Sequence, residues 1–337
     1  MSFILYEKPI FLVGPSIYLP DNIMTNENII KWMNNKKATS ERIEARTGIR
    51  ERRWVSNDQA CSDIATIAAE IFFAEHEIDK NSIDNLLLAT ISGDYPSPPS
   101  SPLIAGKLGL NNIGVIDIGA ACAGFVTALY IASSMSISSL QNQLLISADI
   151  RSKFLNKNDY STAVIFGDAA TCSLVTNSPK NASFKIIASE LGADPALADI
   201  ISIQAGGSRL PFYLNDSEEK QFLKMKDGAT LFAMAVDLMV SSAQSIIEKL
   251  GISIHDVDWI VPHQANLILM RATADRLEFP EEKMAQTVQF TGNISGSSIG
   301  IALNHLMKIK PVKKNDKILL VSAGAGGSTA CSYIEAM

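Results

Sequence analysis

The chain has few of the residues that build metal centres, disulfide frameworks or nucleic-acid surfaces. Its four cysteines, at positions 61, 122, 172 and 331, show neither CxxC pairing nor metal-ligand spacing, which favours a reduced cytoplasmic location. A net charge of −6 argues against a nucleic-acid partner. No stretch approaches the roughly 18 uninterrupted apolar residues of a membrane span. The first eight residues carry an early acid and too short an apolar run for a signal peptide.

What the chain has is a core-forming composition with an internal repeat. Its 337 residues are 47% hydrophobic and include 20 glycines, as in a buried α/β protein. Apolar strands alternate with helices twice: 86–91, 119–129 and 143–148 resemble 258–262, 292–303 and 317–323. We therefore predict two similar halves, 1–177 with a nucleophilic cysteine and 178–337 with a histidine and an asparagine, divided in the polar stretch 177–182.

Cys122 is the most informative residue. It follows an apolar run, Gly114–Ile118, that predicts a buried strand, and it opens a run of small and apolar residues, 123–137, that predicts a buried helix. A thiol at a strand-to-helix turn meets free backbone N–H groups and a favourable helix dipole, so we expect its pKa to be lowered. A buried and inert cysteine is the competing interpretation.

Two further segments favour the catalytic interpretation. His263 ends the apolar run Trp259–Pro262 before an amphipathic helix, and Asn293 lies in the Gly/Ser-rich turn 291–298 before a helix of small residues. A thiol nucleophile needs a neighbouring imidazole, and an enolate needs hydrogen-bond donors on its oxygen.

With these residues in place, the sequence resembles the β-ketoacyl-acyl-carrier-protein synthase III family of thiolase-fold condensing enzymes. The resemblance rests on six segments in family order: Arg46–Arg53, Ala120–Phe125, Phe166–Ala170, Pro262–Asn266, Gly292–Asn293 and Gly326–Gly327. It implies a five-layered αβαβα thiolase fold and a homodimer. Elongating relatives would carry a second histidine where this chain has Asn293, which places it in the synthase III branch.

The resemblance also implies a mechanism. Cys122 would take a primer acyl group from a thioester, with the N–H groups of Cys122 and Gly326 forming the oxyanion hole. A malonyl thioester would then lose carbon dioxide, and His263 and Asn293 would donate hydrogen bonds to the enolate oxygen. The product would be a 3-ketoacyl thioester. No metal or redox cofactor is implied, and the substrates would be acyl-coenzyme A or acyl-carrier-protein thioesters.

Substrate handling departs from the family pattern. Arg42 and Tyr160 stand where relatives place a Trp and an Arg around the adenine of coenzyme A. Two interpretations stay open. Either Arg42 and Tyr160 stack the adenine with the arginine and the aromatic residue in exchanged positions, or the acyl donor is not coenzyme A. In the arginine-rich segment 42–53 the resemblance favours phosphate contact by Arg46 over local ion pairs, and it assigns Asn266 to substrate binding.

Carrier-protein docking is predicted for the helix after His263. Acyl carrier proteins are acidic, so Arg271 and Arg276 are the expected contacts. Two positions that are usually basic in the family are Ile268 and Asp275 here, and the basic residues that would compensate are Lys224 and Lys226.

Two further departures bear on the primer. Gly324 replaces the usual aromatic residue beside the cysteine, and Ser97 replaces a bulky tunnel-wall residue. Both favour a primer larger than acetyl and a specialised natural-product pathway. Besides decarboxylative condensation, two alternatives stay open: transfer of the Cys-bound acyl group to an O, N or C nucleophile, and a non-catalytic partner subunit. Loss of the aromatic residue favours acyl transfer, whereas retention of Asn293 argues against it. Retention of Cys122 argues against a non-catalytic subunit.

Overall fold

Strands and helices alternate along the chain, and the computed structural model describes residues 1–35, 37–137 and 141–337. The strands are β1 (Ser2–Tyr18), β2 (Asn22–Thr25), β3 (Glu51–Trp54), β4 (Asn85–Ala89), β5 (Gly114–Ile118), β6 (Asn142–Ile150), β7 (Asp168–Thr176), β8 (Phe184–Ala193), β9 (Ile201–Ser202), β10 (Lys224–Met225), β11 (Trp259–Pro262), β12 (Lys317–Ala323) and β13 (Ser328–Ala336). The α-helices are α1 (Asn26–Met33), α2 (Ser40–Thr47), α3 (Cys61–His76), α4 (Ser101–Leu108), α5 (Gly124–Ser136), α6 (Tyr160–Ala163), α7 (Gly228–Leu250), α8 (Leu267–Arg276), α9 (Val288–Thr291) and α10 (Ser298–Ile309).

One mixed sheet carries the fold, in the order β11-β12-β13-β8-β1-β7-β6-β4-β5. The parallel pairs are β4 with β5, β4 with β6, and β11 with β12, and the other neighbours are antiparallel. The two arms repeat one topology, because β1-α3-β4-α5-β6-β7 and β8-α7-β11-α10-β12-β13 follow the same chain order and strand order. The repeat read from the sequence has its physical basis here. The division at 177/178 falls in the connection between β7 and β8 and stays a prediction.

Helices cover both outer faces of the sheet and fill the space between its arms. Along β4, Leu86 and Leu88 face the cluster formed with α3 and α4, whereas Leu87 faces the cluster formed with α5 and α10. Along β12, Leu319 faces α7 and α8, whereas Leu320 faces the central helices. This alternation is the period of two that a strand buried on both faces requires. The layers therefore run αβαβα, which confirms the predicted fold.

The edge strand β5 is less buried than its apolar sequence suggests. It pairs with β4 on one side only, and Ile116 is 38% exposed. The prediction of a buried strand was right about the strand and wrong about its burial, because β5 ends the sheet and lacks a second neighbour.

The 23-residue helix α7 is, among the helices described, the one long and apolar enough to cross a membrane by length and composition. One of its faces packs on β12 and β13 in a cluster that includes Val236, Met239 and Val240. Leu231 and Leu238 line a cavity described below. The helix thus packs on the sheet with one face and borders the cavity with another.

Candidate active site

A cavity of about 640 Å³ lies where the two halves meet, and Cys122, His263 and Asn293 all line it. Cys122 follows β5, His263 follows β11, and Asn293 lies just before α10. Parallel strands bring residues at their carboxyl ends to one edge of a sheet, and the duplicated arms place two such edges together. The structure thus brings together the three residues that the sequence analysis singled out.

Cys122 sits on a short 3-10 turn, Ala121–Ala123, that leads into α5. Ala121 has a φ of 46°, a left-handed conformation that a residue with a Cβ rarely adopts, so this turn is strained. The Sγ of Cys122 lies 3.9 Å from the Oγ of Ser295. The other three cysteines are buried, and Cys122 is partly exposed to the cavity.

Burial raises the pKa of the Cys122 thiol to about 11. The Ser295 hydroxyl and the positive charge of Arg151 act in the opposite direction, and the Asp149 carboxylate adds to the rise. The expectation that the helix start lowers this pKa is therefore wrong in sign, since desolvation of the thiolate exceeds the favourable terms. At neutral pH the nucleophile therefore rests as a thiol.

His263 is held at the end of β11 by a hydrogen bond from its backbone N–H to the carbonyl of Val321, at 2.9 Å. Its side chain is 3% exposed, and burial lowers its pKa to about 3. Its Nδ1 is buried without a hydrogen-bond partner among the residues described. A neutral imidazole carries its proton on one nitrogen, so with no acceptor for a proton on Nδ1 the ring is free to donate from Nε2.

Gln264 fixes the segment around His263, a role that the sequence analysis missed. Its Nε2 donates to the carbonyls of Pro262 and Ala285, at 2.7 and 3.1 Å. Its Oε1 accepts from the backbone N–H of Thr287, at 2.8 Å. This fully buried amide ties the end of β11 to the loop that leads to α9 and Asn293. The one feature of the sequence that could have indicated this role is the position of the amide directly after a candidate catalytic histidine.

Asn293 is positioned by the backbone of residues 165–167. Its N–H donates to the carbonyl of Ile165 at 2.9 Å, and its carbonyl accepts from Gly167 at 3.0 Å. Gly292 has a φ of 62°, and a Cβ there would lie 2.6 Å from the Ile165 oxygen, so this pairing requires glycine. The Asn293 Oδ1 accepts from the N–H of Ser295 at 2.9 Å, which leaves the amide nitrogen to donate toward the cavity.

Of the other predicted substrate residues, Arg46, Tyr160 and Asn266 line the cavity, and Arg42 does not. Asn266 also caps α8, since its Oδ1 accepts from the N–H of Leu269 at 2.8 Å. Arg42 is exposed on α2 and donates to the carbonyl of a neighbouring loop residue at 3.3 Å. The predicted stacking of a base between Arg42 and Tyr160 stays a prediction.

The arginine-rich segment does not form one positive patch. Arg52 is fully buried, and it donates to the Oδ1 of Asn26 at 2.8 Å and to the carbonyl of Val164. Burial lowers its pKa to about 10. Arg50 forms an ion pair with Glu44 at 2.7 Å. The local ion-pair interpretation holds for Arg50, and Arg46 is the arginine of this segment that faces the cavity.

The predicted docking arginines form surface ion pairs. The Nε of Arg271 lies 2.8 Å from the Oε1 of Glu281, and Arg276 pairs with Asp237. Exposed pairs of this kind are weak, and the docking role of both arginines stays a prediction. The compensating lysines differ: Lys226 pairs with Asp199, and Lys224 is exposed.

Gly324 does not open a void beside Cys122, which corrects the sequence-based expectation. A Cβ at this position would lie 2.9 Å from the carbonyl oxygen of Ala120 and 2.7 Å from the Oγ of Ser328. The backbone at Gly324 therefore packs directly on the cysteine-bearing loop. Gly324 lines the cavity, and Gly326, the predicted oxyanion residue, follows two residues later with a φ of 83°.

The tunnel-wall position of Ser97 stays a prediction, because the structure describes a single chain and the prediction places the loop of Ser97 at the tunnel or the dimer interface. Ser97 is exposed and lies outside the residues that line the cavity. The cavity owes its size to other parts of the chain, mainly apolar residues of the segment 197–239 such as Leu197, Ile201, Leu223 and Leu231. Sequence patterns missed this contribution because these residues resemble ordinary core positions.

Comparisons with known proteins identify one family. Residues 116–195 match the family model described as 3-oxoacyl-[acyl-carrier-protein] synthase III, and residues 247–336 match the model of its C-terminal part. The β-ketoacyl-[acyl-carrier-protein] synthase III of Chlamydia muridarum is 34% identical over 96% of this chain and 98% of its own length.

Solved structures show the same fold. The crystal structure of 3-oxoacyl-[acyl-carrier-protein] synthase III from Aquifex aeolicus superimposes with a TM-score of 0.86 at 31% identity, covering 97% of this chain and 99% of that one. A priming β-ketosynthase from a polyketide biosynthetic pathway superimposes with a TM-score of 0.87 at 28% identity, covering 99% and 98%. The motifs indicate the family at a few short segments, and the near full-length coverage at this identity shows that the similarity spans the whole chain. The chain belongs to the 3-oxoacyl-[acyl-carrier-protein] synthase III family of condensing enzymes.

Proposed function

We propose that this protein loads a primer acyl group on Cys122 and extends it by decarboxylative Claisen condensation with a malonyl thioester. The observation that carries the proposal is that one cavity is lined by a thiol, a neutral imidazole and an amide whose nitrogen faces the cavity. Two uncharged hydrogen-bond donors suit an oxygen that becomes negative during the reaction.

In the first half-reaction the Cys122 sulfur attacks the thioester carbonyl of the primer. The carbon–sulfur bond to the carrier breaks, and the carrier leaves as a thiol with the proton that Cys122 gives up. Because burial holds the Cys122 pKa near 11, this proton leaves as the new bond forms rather than beforehand. The proposed oxyanion donors are the backbone N–H groups of Cys122 and Gly326, on the resemblance to the family.

In the second half-reaction a malonyl thioester loses carbon dioxide and leaves an enolate. The Nε2–H of His263 and the amide N–H of Asn293 donate to the enolate oxygen. Neither donor changes its protonation state at neutral pH, since burial keeps the imidazole uncharged. The enolate carbon then attacks the acyl carbon, and the bond to the Cys122 sulfur breaks to leave a thiolate. This thiolate takes up a proton from solvent to restore the thiol, and a 3-ketoacyl thioester departs. These steps call for no metal or redox cofactor.

The carriers that would deliver the acyl groups share a phosphopantetheine arm. Arg46, exposed at the cavity, supports phosphate contact there. Lys224, which is exposed and forms no ion pair within the described part of the chain, supports an acidic carrier protein as partner. Coenzyme A and a carrier protein both remain candidate donors. The cavity volume of about 640 Å³ supports a primer larger than acetyl.

A homodimer is supported by the edge strand β5. Among the described strands it ends the sheet and pairs on one side only, and its Ile116 is 38% exposed. An edge of this kind is suited to pairing with the same strand of a second copy. A cytoplasmic location stays the prediction made from cysteine usage.

The test is intact-protein mass after incubation with acyl-coenzyme A and acyl-carrier thioesters, followed by a malonyl-carrier chase. We expect a mass gain that requires Cys122 and that malonyl discharges as a 3-ketoacyl product. Cys122→Ala should show no gain, whereas Asn293→Ala should load the acyl group and fail to discharge it. A gain that malonyl cannot discharge in the wild type would instead favour transfer to another nucleophile.

A further inference from the structure

Two arginines line the cavity, and they differ sharply in burial. Arg46 is exposed, as expected for a residue that meets carrier phosphates, whereas Arg151 is 3% exposed. Arg151 follows the last residue of β6, and its backbone N–H donates to the Oδ1 of Asp168 at 2.7 Å. This anchors the residue at the sheet edge that also carries the cysteine-bearing loop.

The Arg151 guanidinium has no ionic or hydrogen-bonded partner in residues 1–35, 37–137 and 141–337. Its Nε is buried and unsatisfied. Its charge instead lies 5.7 Å from the ring centre of Phe154 and 5.8 Å from that of Phe166. Cation–π contacts orient a guanidinium but leave its N–H donors free. A buried charge without hydrogen-bond acceptors is costly, so the site is complete only with a ligand that supplies them.

Two buried carboxylates close to Arg151 in the fold, those of Asp149 and Asp168, already accept several hydrogen bonds. Asp149 accepts from the N–H groups of Ile91 and Gly296, at 2.9 and 3.0 Å, and from the hydroxyl of a neighbouring serine. Asp168 accepts from three backbone N–H groups and a serine hydroxyl. Neither carboxylate forms an ion pair with Arg151. Burial raises the pKa of Asp149 and the positive charge of Arg151 opposes this rise, so the two charges interact without a direct ion pair, and the buried Nε of Arg151 has no acceptor among the described residues.

We propose that Arg151 binds a carboxylate at the far end of the primer acyl group, so that the enzyme prefers dicarboxylic acids activated as monothioesters. This rests on the proposed function, because it concerns the group that Cys122 would carry. A guanidinium matches a carboxylate in planar, two-point hydrogen bonding. The apolar wall around it, with Val164, Ile165 and Leu223, accommodates the methylene chain between the two ends.

The malonyl extender is a poorer candidate for this contact. Its carboxylate has to leave as neutral carbon dioxide, and a guanidinium bound to it would stabilise the reactant over the transition state. The primer carboxylate survives the reaction unchanged, so binding it carries no such penalty. The positive charge of Arg151 also lowers the pKa of Cys122, which places the guanidinium within electrostatic range of the sulfur and favours short chains.

The test compares acyl-pantetheine thioesters in matched pairs of equal heavy-atom shape: succinyl with 4-methylpentanoyl, and glutaryl with 5-methylhexanoyl. Pantetheine is common to both possible carriers. Acylation of Cys122 is followed by intact-protein mass in the wild type, Arg151→Leu, Arg151→Lys and a control, Arg209→Leu, at an exposed position outside the cavity. We expect the wild type to favour the carboxylate in at least one pair by about 10- to 100-fold, the range of a buried charge-assisted hydrogen bond.

Arg151→Leu should abolish or invert that preference, Arg151→Lys should retain part of it, and Arg209→Leu should keep it. Equal rates within both pairs in the wild type, or an unchanged preference in Arg151→Leu, would overturn the proposal. If Arg151→Leu does not fold, calorimetric binding of the same pairs to Cys122→Ala decides the question, since that protein keeps Arg151 and cannot react.

The malonyl chase separates this inference from the proposed function. Loaded acyl groups that malonyl discharges without any carboxylate preference would leave condensation standing and remove the role of Arg151. An Arg151-dependent preference for acyl groups that malonyl never discharges would leave the role of Arg151 standing and remove condensation. Failure of every thioester to acylate or bind would contradict both.

Discussion

The raised pKa of Cys122 predicts an unusual dependence of its alkylation on pH. At pH 8, a thiol with a pKa of about 11 is ionised in about one molecule in a thousand, against about one in ten at the ordinary value of 9.0. A thiolate of higher pKa is the stronger nucleophile, so a rise of two pKa units increases the intrinsic reactivity of the thiolate about eightfold. The expected rate is therefore about tenfold below that of an exposed thiol.

The assay is pseudo-first-order alkylation by iodoacetamide between pH 7 and 10.5, followed by intact-protein mass. The logarithm of the rate should rise with unit slope through pH 10, without a plateau near pH 9. Cys122→Ala measures the background, which should be small because Cys61, Cys172 and Cys331 are buried. Ser295→Ala should slow the reaction further, since the Ser295 hydroxyl lowers the pKa of Cys122.

A plateau decides between the two physical accounts. If the rate levels off below pH 8, the helix start outweighs burial, and the sequence-based expectation of a resting thiolate was right after all. If it levels off near pH 9, neither effect is large. Only a continued rise past pH 10 agrees with a desolvated thiol whose pKa is about 11.

Two further predictions concern stability and loop packing. The folded-state pKa of His263, about 3, lies below the ordinary 6.5, so below pH 6.5 the unfolded chain binds a proton that the folded protein does not. Between pH 7.5 and 4.5 this costs about 3 kcal/mol of unfolding free energy, and urea titrations should show that His263→Gln loses less stability over this range; parallel losses would contradict the assignment. Gly324→Ala should slow Cys122 acylation about tenfold or more, because its Cβ would press on the Ala120 carbonyl. Gly207→Ala is the control, with nothing near its Cβ, and equal acylation rates in both variants would show that the cysteine loop yields without cost.

The fold and the three central residues could be predicted because each follows from a local pattern. Cys122, His263 and Asn293 stand where an apolar strand ends or a small-residue helix begins, and duplicated topology brings such points together. The change of period, from two in strands to 3.6 in helices, is visible in sequence. The sequence therefore carried the architecture and the position of the site.

What could not be predicted depends on residues distant in sequence. The direction of the Cys122 pKa shift is set by how much protein surrounds the sulfur, which no local pattern reports. Gly324 was misjudged because its Cβ direction points at the cysteine loop some 200 residues earlier in the chain. Arg151 was missed because its lack of a partner is a property of the assembled site. The one feature of the sequence that pointed to Arg151 is its position directly after β6, a strand that ends at the sheet edge near Cys122.

The pairing of residues 165–167 with Asn293 has a consequence for how this enzyme can change. Ile165 and Gly167 hold Asn293 through main-chain hydrogen bonds on either side of Phe166, while the side chains of Ile165 and Phe166 form part of the cavity wall. Replacing these side chains alters the shape offered to an acyl chain but leaves the peptide groups that place the amide. One short stretch of chain thus separates substrate preference from the alignment of the reacting atoms. Selection, natural or in the laboratory, can explore new primers at these two positions without having to rebuild the chemistry.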